Sequence, residues 1–201
     1  MLTLFHAPQS RSTRLIWLLE EAGADYAIEY VTIPRMDGSG GPDPRNPHPD
    51  KKVPALVHDG ALVTESVAIM QYVTDLHPQA GIGPLPGDPL RGPYLTWLAY
   101  YAGVVEPVVT LGFLGLLDNP GLHRAFRGKE DYNQRILGAL AAGPYMLGER
   151  FSAVDVLLAS MGHWIRDALA DDPLVDDYLK RCSERPALAA AMARDAEPAT
   201  T

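Results

Sequence analysis

The stretch from residue 51 to residue 66 constrains the fold most, because it combines an X-Pro step, a hairpin signal and a helix start. Its sequence is Lys-Lys-Val-Pro-Ala-Leu-Val-His-Asp-Gly-Ala-Leu-Val-Thr-Glu-Ser. Val53 precedes a proline and is therefore biased toward an extended conformation. Asp59 and Gly60 favour a tight turn between the apolar runs on either side of them. The stretch predicts two short antiparallel strands.

A helix is predicted directly after this hairpin. Thr64 or Ser66 can cap its N-terminus, and the apolar residues that follow recur at helical spacing. These residues are Val67, Ile69, Met70, Tyr72, Val73 and Leu76. An extended backbone can pair with a bound peptide, and a helix N-terminus attracts a carboxylate. The segment therefore suits a small acidic peptide, although an ordinary hairpin followed by a capped helix would show the same pattern.

The residues before this stretch predict a strand, a helix, a second strand and a loop. Residues 2–6 form a short apolar run, a helical pattern ends at Gly23, and residues 26–33 alternate as strand residues do. A unit of this kind pairs its two strands in parallel through a right-handed crossover. Residues 34–50 contain too many prolines and glycines for a full helix, so they are expected to form a loop over the site.

The composition changes after residue 77. Residues 78–93 are rich in proline and glycine, which is typical of a linker between domains. From residue 94 onward the patterns are helical and no strand pattern competes with them, although Pro107 should bend or break the first of these helices. We therefore expect a first domain over residues 1–77, a linker over 78–93 and an all-α domain over 94–201.

The overall composition excludes several classes of function. The 201 residues carry a formal net charge of -8, which opposes binding to nucleic acid. The single cysteine, Cys182, excludes an internal disulfide and a four-cysteine metal site, and the histidines lack ligand-like spacing, so no metal is expected. No apolar run approaches the length of roughly 18 residues that spans a bilayer, and no secretory leader opens the sequence. We expect a cytoplasmic protein without a membrane or nucleic-acid partner.

Two sets of residues resemble the glutathione S-transferase family. The order Val53-Pro54-Ala-Leu, hairpin, Glu65-Ser66 and helix resembles the glutathione-binding half of that family. The turn over residues 148–151, Gly-Glu-Arg-Phe, followed by a capping box from Ser152 to Asp155, resembles the start of the central helix of its second domain. The resemblance implies an α+β thioredoxin-like N-terminal domain followed by an all-α helical-bundle C-terminal domain. It also implies a homodimer that conjugates glutathione to a hydrophobic electrophile.

The same resemblance implies the residues that bind glutathione. Pro54 would be cis, and the main chain of Val53 would pair with the cysteinyl unit of the ligand. Ser66 would hold the γ-glutamyl carboxylate, with Glu65 near the γ-glutamyl amino group. Lys52 is a candidate for the glycyl carboxylate, although an exposed lysine is as often simply solvated.

The turn over residues 8–12, Pro-Gln-Ser-Arg-Ser, contains the candidate catalytic groups. A free thiol with a pKa of ~8.5 is mostly protonated at neutral pH, so a transferase must favour the thiolate. Ser10 and Ser12 lie between a predicted strand and a predicted helix, where the helix dipole favours an anion. Ser10 follows the proline as the catalytic serine does in serine-type fungal and bacterial members. Ser12 is the alternative, and it could equally cap the helix.

The turn also argues against other chemistries of the family. It contains no tyrosine, so catalysis by a phenol hydroxyl is not supported, and it contains no cysteine, so mixed-disulfide chemistry is not supported either. The resemblance implies an electrophile pocket between the domains, and its candidate residues are His6, Ala7, Trp97, Tyr100 and Tyr101. An aromatic residue at helical spacing is, however, more often part of a core than of a ligand pocket.

Two alternatives to conjugation remain open at this point. A glutathione-dependent disulfide reductase or peroxidase would use the same thiol site with a different second substrate. A protein with this fold could also bind a ligand or a partner without catalysis, because a fold alone does not establish a function. The presence of Ser10, Val53-Pro54 and Glu65-Ser66 together favours glutathione binding over a degenerate scaffold.

Overall fold

The first unit contains a mixed sheet of four strands. They are β1 (Leu2–His6), β2 (Tyr26–Tyr30), β3 (Ala55–His58) and β4 (Ala61–Thr64). Their order is β2-β1-β3-β4, with β1 parallel to β2 and antiparallel to β3, and with β3 antiparallel to β4. The predicted hairpin is confirmed, and Asp59 and Gly60 adopt the positive φ angles of 48° and 85° that such a turn requires.

Two helices pack with this sheet. Helix α1 (Thr13–Ala22) connects β1 to β2, and helix α2 (Ser66–Leu76) follows β4. Helix α1 ends at Gly23, whose φ of 60° is the left-handed cap that its lack of a side chain allows. Between β2 and β3 the chain forms turns and bends, which confirms the loop predicted over residues 34–50. The order βαβ, loop, ββα is the predicted thioredoxin-like arrangement.

The second unit is helical. Its helices are α3 (Arg91–Tyr100), α4 (Glu106–Phe113), α5 (Pro120–Phe126), α6 (Lys129–Ala141), α7 (Ala153–Trp164) and α8 (Pro173–Ser183). The long helix predicted from residue 94 is broken by a π-helical turn over Tyr101–Val105, and Pro107 lies at the start of α4. Tyr100, Tyr101, Val105 and Glu106 all keep right-handed helical dihedral angles, so the helical path continues through this turn. Pro107 has no amide hydrogen to donate to the preceding turn, which is consistent with a local departure from α-helical hydrogen bonding.

Helix α7 lies at the centre of the second unit, and its start matches the capping box expected from the sequence. The Ser152 hydroxyl accepts a hydrogen bond from the Val154 amide at 3.3 Å, and the Asp155 carboxylate accepts one from the Ser152 amide at 2.8 Å. Asp155 also accepts from the Met146 amide at 2.8 Å. Burial raises the pKa of Asp155 to about 6, although these donors lower it.

The structure is a computed structural model that describes residues 1–196, which form two compact units. One unit contains residues 1–81 together with the chain from residue 185, and the other contains Ile82–Glu184. The boundary near residue 81 falls inside the predicted linker. The last helix, α9 (Pro186–Asp195), was expected in the second domain but groups with the first unit. Residues 197–201, also expected there, lie outside the described residues.

Ion pairs explain why α9 groups with the first unit. The Arg185 guanidinium contacts the Glu21 carboxylate at 2.6 and 2.7 Å, and Arg194 contacts Glu20 at 3.0 Å. The Tyr30 hydroxyl also donates to the Arg194 carbonyl at 2.8 Å. A helical pattern in a sequence does not reveal which unit covers its apolar face, so this grouping depends on contacts that only the fold brings together.

Candidate active site

The turn between β1 and α1 places two hydroxyl groups in contact. Ser10 Oγ lies 2.6 Å from Ser12 Oγ and 2.7 Å from the carbonyl oxygen of Ala7. Ser12 Oγ accepts a hydrogen bond from the Ala7 amide at 3.3 Å. Ser12 is completely buried, whereas Ser10 keeps 8% of its surface exposed. Of the two residues predicted to be catalytic, Ser10 is therefore the one that keeps some exposed surface.

The helix-capping interpretation of Ser12 is wrong as far as its side chain is concerned. Ser12 occupies the N-cap position of α1, but its side chain accepts no hydrogen bond from the helix amides. Its hydroxyl instead lies 2.7 Å from Nδ1 of His6. Ser12 therefore joins the turn to β1 and does not satisfy the helix terminus.

His6 and Ala7 are both buried. They were expected to line the electrophile pocket, but they are 0% and 1% exposed. They form the end of β1 and the start of the turn, and the backbone of Ala7 bonds to both serine hydroxyls. Their side chains therefore present almost no surface to a ligand in this structure, and their part in an electrophile pocket stays a prediction. The alternating pattern of β1 places His6 on its inner face with Leu2 and Leu4.

Asp195 of α9 supports this turn, and the sequence analysis missed it. One oxygen of its carboxylate accepts from the Thr13 hydroxyl at 2.5 Å, and both oxygens accept from the Gln9 amide, at 3.1 and 3.2 Å. Asp195 is itself buried. No pattern in the sequence could connect it to a turn that is more than 180 residues away.

His6 also faces Asp195, but the two do not form an ion pair at neutral pH. Nε2 of His6 lies 3.3 Å from Oδ1 of Asp195, yet it has no hydrogen-bond partner within residues 1–196. Burial lowers the pKa of His6 to about 4, although the Asp195 carboxylate raises it. The imidazole is therefore neutral near pH 7 and carries one N–H proton.

The register of the sheet brings the predicted glutathione-binding segments together. Phe5 of β1 lies opposite Ala55 of β3, and Ala55 lies opposite Thr64 of β4. The ends of these strands therefore meet at one edge of the sheet. The turn that follows β1, the Val53-Pro54 step that precedes β3 and the Glu65-Ser66 step that follows β4 all lie at this edge.

The backbone at Val53 and Pro54 has the geometry expected from the sequence. The peptide bond between these residues is cis, as predicted. The β3 ladder begins only at Ala55, so Val53 lies outside the paired strands. Val53 is half-buried, and Pro54 is buried beneath it.

The start of α2 combines a strained residue with a helix N-terminus. Glu65 has φ 67° and ψ 123°, a conformation that residues with a side chain rarely adopt, and its side chain is exposed. Ser66 is the first helical residue and is half-buried. No side chain caps this helix, so its terminal amides are open to a ligand.

The loop before Val53 is organised by a second residue that the sequence analysis missed. Asn46 is completely buried, and its side-chain amide donates to the Lys52 carbonyl at 2.9 Å. Nζ of Lys51 donates to the Asn46 carbonyl at 2.6 Å. The ammonium of Lys51 is therefore held by the loop, whereas the Lys52 side chain, the predicted glycyl partner, is exposed.

The three aromatic candidates of the second unit contact other parts of that unit. The rings of Trp97 and Tyr100 meet edge to face at 5.9 Å, and the Arg135 guanidinium lies 5.1 and 4.1 Å from their centroids. Tyr101 is buried. These contacts fit the packing interpretation, and a role in electrophile binding stays a prediction.

A concave apolar pocket is present elsewhere in the second unit. Its volume is about 240 Å³, and its walls include Val108, Phe113, Leu117, Tyr132 and Ile165. Lys129 and Asp167 also line it. The sequence analysis did not predict this pocket, because α4, α6 and the segment after α7 form it together.

The described residues, 1–196, also bear on metal binding and on membrane insertion. No group of three His, Cys, Asp or Glu side chains is placed to hold a metal ion in this part of the chain. In the same range, the helices are too short or too polar to cross a bilayer.

Known proteins with similar sequences and structures include glutathione S-transferases. Residues 1–75 match the family model of the glutathione S-transferase N-terminal domain. The chain is 29% identical over 191 residues to glutathione S-transferase GstA of Escherichia coli O157:H7, covering 91% of this chain and 93% of that protein. A crystal structure of a glutathione transferase from Methylococcus capsulatus shares 29% identity and a TM-score of 0.76, covering 97% of this chain and 98% of that one.

A sphingomonad glutathione S-transferase, solved in complex with glutathione, is also similar. It is 25% identical with a TM-score of 0.75, covering 98% of this chain and 100% of that one. By fold, the chain is a thioredoxin-like domain combined with a helical domain. The family model matches residues 1–75, and the proteins named above are what the chain as a whole is similar to.

Proposed function

We propose that this chain is a serine-type glutathione transferase that conjugates the glutathione thiolate to a small hydrophobic electrophile. The observation that carries the proposal is the meeting of three segments at one edge of the sheet, since each has a different function in holding a tripeptide. The relatives named as glutathione S-transferases and the glutathione complex of the sphingomonad protein support the same substrate. Glutathione is a co-substrate in this reaction, and no metal takes part.

The ligand is held mainly by backbone groups. The main chain of Val53 pairs with the cysteinyl unit, as a peptide pairs with the edge of a sheet. Ser66 and the open amides of α2 bind the γ-glutamyl carboxylate, where the helix dipole favours a negative charge. Glu65 lies near the γ-glutamyl amino group, and Lys52 binds the glycyl carboxylate.

Ser10 supplies the chemistry at the sulfur atom. Its hydroxyl donates a hydrogen bond to the thiolate, and a bond to a charged partner contributes about 1.5–3 kcal/mol. The sulfur then uses a lone pair to form a bond to the electrophilic carbon. With an aryl halide, the carbon–halogen bond breaks and the halide leaves with its electron pair. The thiol proton passes to solvent when glutathione binds.

A turnover assay separates the three candidate functions. The protein is incubated with glutathione and, in parallel, with an aryl halide, a hydroperoxide and a mixed disulfide. We expect a thioether product from the aryl halide. Turnover of only the hydroperoxide or the disulfide would support the peroxidase or reductase alternative. Binding of glutathione without any turnover would support a non-catalytic binding protein.

We infer further that the protein acts as a cytoplasmic homodimer. The family resemblance supports the dimer, and the single cysteine fits a reducing compartment. Light scattering at micromolar concentration tests the first point, and a monomer mass would contradict it. Fractionation of cells that express the tagged chain tests the second.

A further inference from the structure

Beneath Ser10 lies a chain of buried hydrogen bonds that the proposed function does not use. Nδ1 of His6 is 2.7 Å from Ser12 Oγ, and Ser12 Oγ is 2.6 Å from Ser10 Oγ. His6 and Ser12 are completely buried, so water cannot replace these contacts. The identity of the donor in each hydrogen bond determines how this series of bonds orients and polarises the Ser10 hydroxyl.

The direction follows from counting protons. A carbonyl oxygen can only accept, so the 2.7 Å contact between Ser10 Oγ and the Ala7 carbonyl uses the proton of Ser10. Ser12 must then donate in the 2.6 Å contact between the two hydroxyls. Its only proton is now used, so His6 must be the donor in its contact with Ser12. Ser12 Oγ also lies 3.4 Å from the Ala7 carbonyl, but that contact is much longer than the one Ser10 makes.

This assignment satisfies both serine hydroxyl groups. Ser12 Oγ accepts from the Ala7 amide and from His6, and Ser10 Oγ accepts from the Ser12 amide at 3.2 Å and from the Ser12 hydroxyl. Each hydroxyl oxygen thus accepts two bonds and donates one, which is its full capacity. The neutral imidazole then carries its proton on Nδ1, and the Nε2 lone pair lies 3.3 Å from Oδ1 of Asp195, a repulsive contact that opposes this tautomer and that the two hydroxyl bonds must outweigh.

We propose that His6 and Ser12 are positioning residues that orient and polarise the Ser10 hydroxyl toward the glutathione sulfur. The donor sequence runs from Nδ1 of His6 to Ser12, from Ser12 to Ser10, and from Ser10 to the thiolate, which replaces the Ala7 carbonyl as acceptor. Each donation strengthens the next, by about 10–30% per bond. Because both lone pairs of Ser10 accept hydrogen bonds from Ser12, its proton is the part of the hydroxyl that can be donated, to the Ala7 carbonyl in the free protein and to the thiolate in the complex.

The proposal rests on the proposed function, since it requires a thiolate at Ser10, but its first test does not involve glutathione. In the free protein, ¹⁵N chemical shifts of the imidazole report which nitrogen carries the proton. We expect a proton on Nδ1 of His6 at pH 7. A neutral ring with its proton on Nε2 would overturn the proposal, because His6 would then accept from Ser12 and the chain would run the other way.

The second test measures the pKa of bound glutathione through the ultraviolet absorbance of its thiolate. We expect Ser12→Ala and His6→Leu each to raise this pKa by about half a unit, as the loss of one polarising bond should. His6→Asn places an amide N–H near the position of Nδ1, and it should restore most of the shift. Ser160→Ala is the control, since this hydroxyl donates to the Leu157 carbonyl in the second unit at 2.8 Å.

A double-mutant cycle separates positioning from general damage to the fold. In a Ser10→Ala background, Ser12→Ala should have no further effect on the pKa, because no terminal donor remains to be polarised. An additive effect, or an unchanged pKa in the Ser12→Ala single variant, would overturn the proposal. If wild-type protein with bound glutathione shows no thiolate absorbance, both the proposed function and the positioning proposal fail. A proton on Nε2 of His6 overturns the positioning proposal alone.

Discussion

Two regions of the candidate site are held in place by different kinds of interaction. They are the turn at residues 7–12 and the helix start at residues 65–66. The turn is held by buried side chains, with Ser12 bonded to His6 and with Asp195 bonded to Thr13 and Gln9. The helix start has no side-chain cap and presents backbone amides at an exposed, strained residue. The turn depends on contacts between residues that are distant in sequence, such as Thr13 and Asp195. The helix start depends on the conformation of its own backbone.

This difference has consequences for mutation and for pH. Changes to the turn should alter both stability and chemistry, because its hydrogen bonds are buried and expensive to break. Changes at the helix start should alter binding while leaving stability equal or improved, because the strain at Glu65 is not balanced by side-chain contacts that the fold needs.

The largest effect is expected for Asp195→Ala. The change leaves the buried Thr13 hydroxyl and the Gln9 amide without their acceptor, and each such loss costs about 1–3 kcal/mol. We expect the free energy of unfolding to fall by roughly 4 kcal/mol, measured by chemical denaturation. The control is Asp171→Ala at an exposed aspartate, which should change it by less than about 0.5 kcal/mol. Equal effects of the two variants would contradict the importance of α9 for the turn.

A second prediction concerns pH. The pKa of His6 is about 4 in the folded protein and ~6.5 in the unfolded chain, so the unfolded chain binds more protons between these values. The contribution of His6 is therefore complete above pH ~6.5 and is lost as the pH falls toward 4, by up to about 3 kcal/mol. Denaturation at several pH values measures the slope, and His6→Asn should flatten it. An equal pH dependence of the unfolding free energy in the wild-type protein and in His6→Asn would show that other groups cause it.

The smallest stability effect is expected at Glu65. Glycine adopts positive φ without strain, so Glu65→Gly should raise the free energy of unfolding by about 0.5–1 kcal/mol. Glutathione binding should weaken, because the carboxylate near its amino group is lost. The control is Glu149→Gly, which removes an exposed glutamate at an ordinary φ and should slightly lower stability. Destabilisation by Glu65→Gly would show that its side chain supports the fold.

Local signals account for what the sequence could predict. The X-Pro step, the Asp59-Gly60 turn and the helical spacing after Ser66 each act within a few residues, and together they predicted the hairpin and the helix after it. The cis peptide at Pro54 was implied by the family resemblance. The preference for Ser10 over Ser12 came from the family resemblance and stays a prediction. The order of the elements, together with the family resemblance, then predicted a thioredoxin-like domain followed by an all-α domain.

Contacts distant in sequence account for what it could not predict. The pairing of Asp195 with Thr13, the inward orientation of His6 and the burial of Asn46 arise only when separate elements pack together. The grouping of α9 with residues 1–81 could not be read from the sequence, because amphipathicity shows that a helix is covered but not which element covers it. The apolar pocket was missed because its wall residues come from several helices and loops.

The central claim is that Ser10 stabilises the glutathione thiolate, and the absorbance titration of bound glutathione tests it most directly. One hydrogen bond of about 1.5–3 kcal/mol corresponds to one to two pKa units. The account predicts that Ser10→Ala raises the thiol pKa by about that amount, while glutathione affinity changes far less because Val53, Glu65 and Ser66 hold the peptide. An unchanged pKa in Ser10→Ala would contradict the account and leave activation to the helix N-terminus alone.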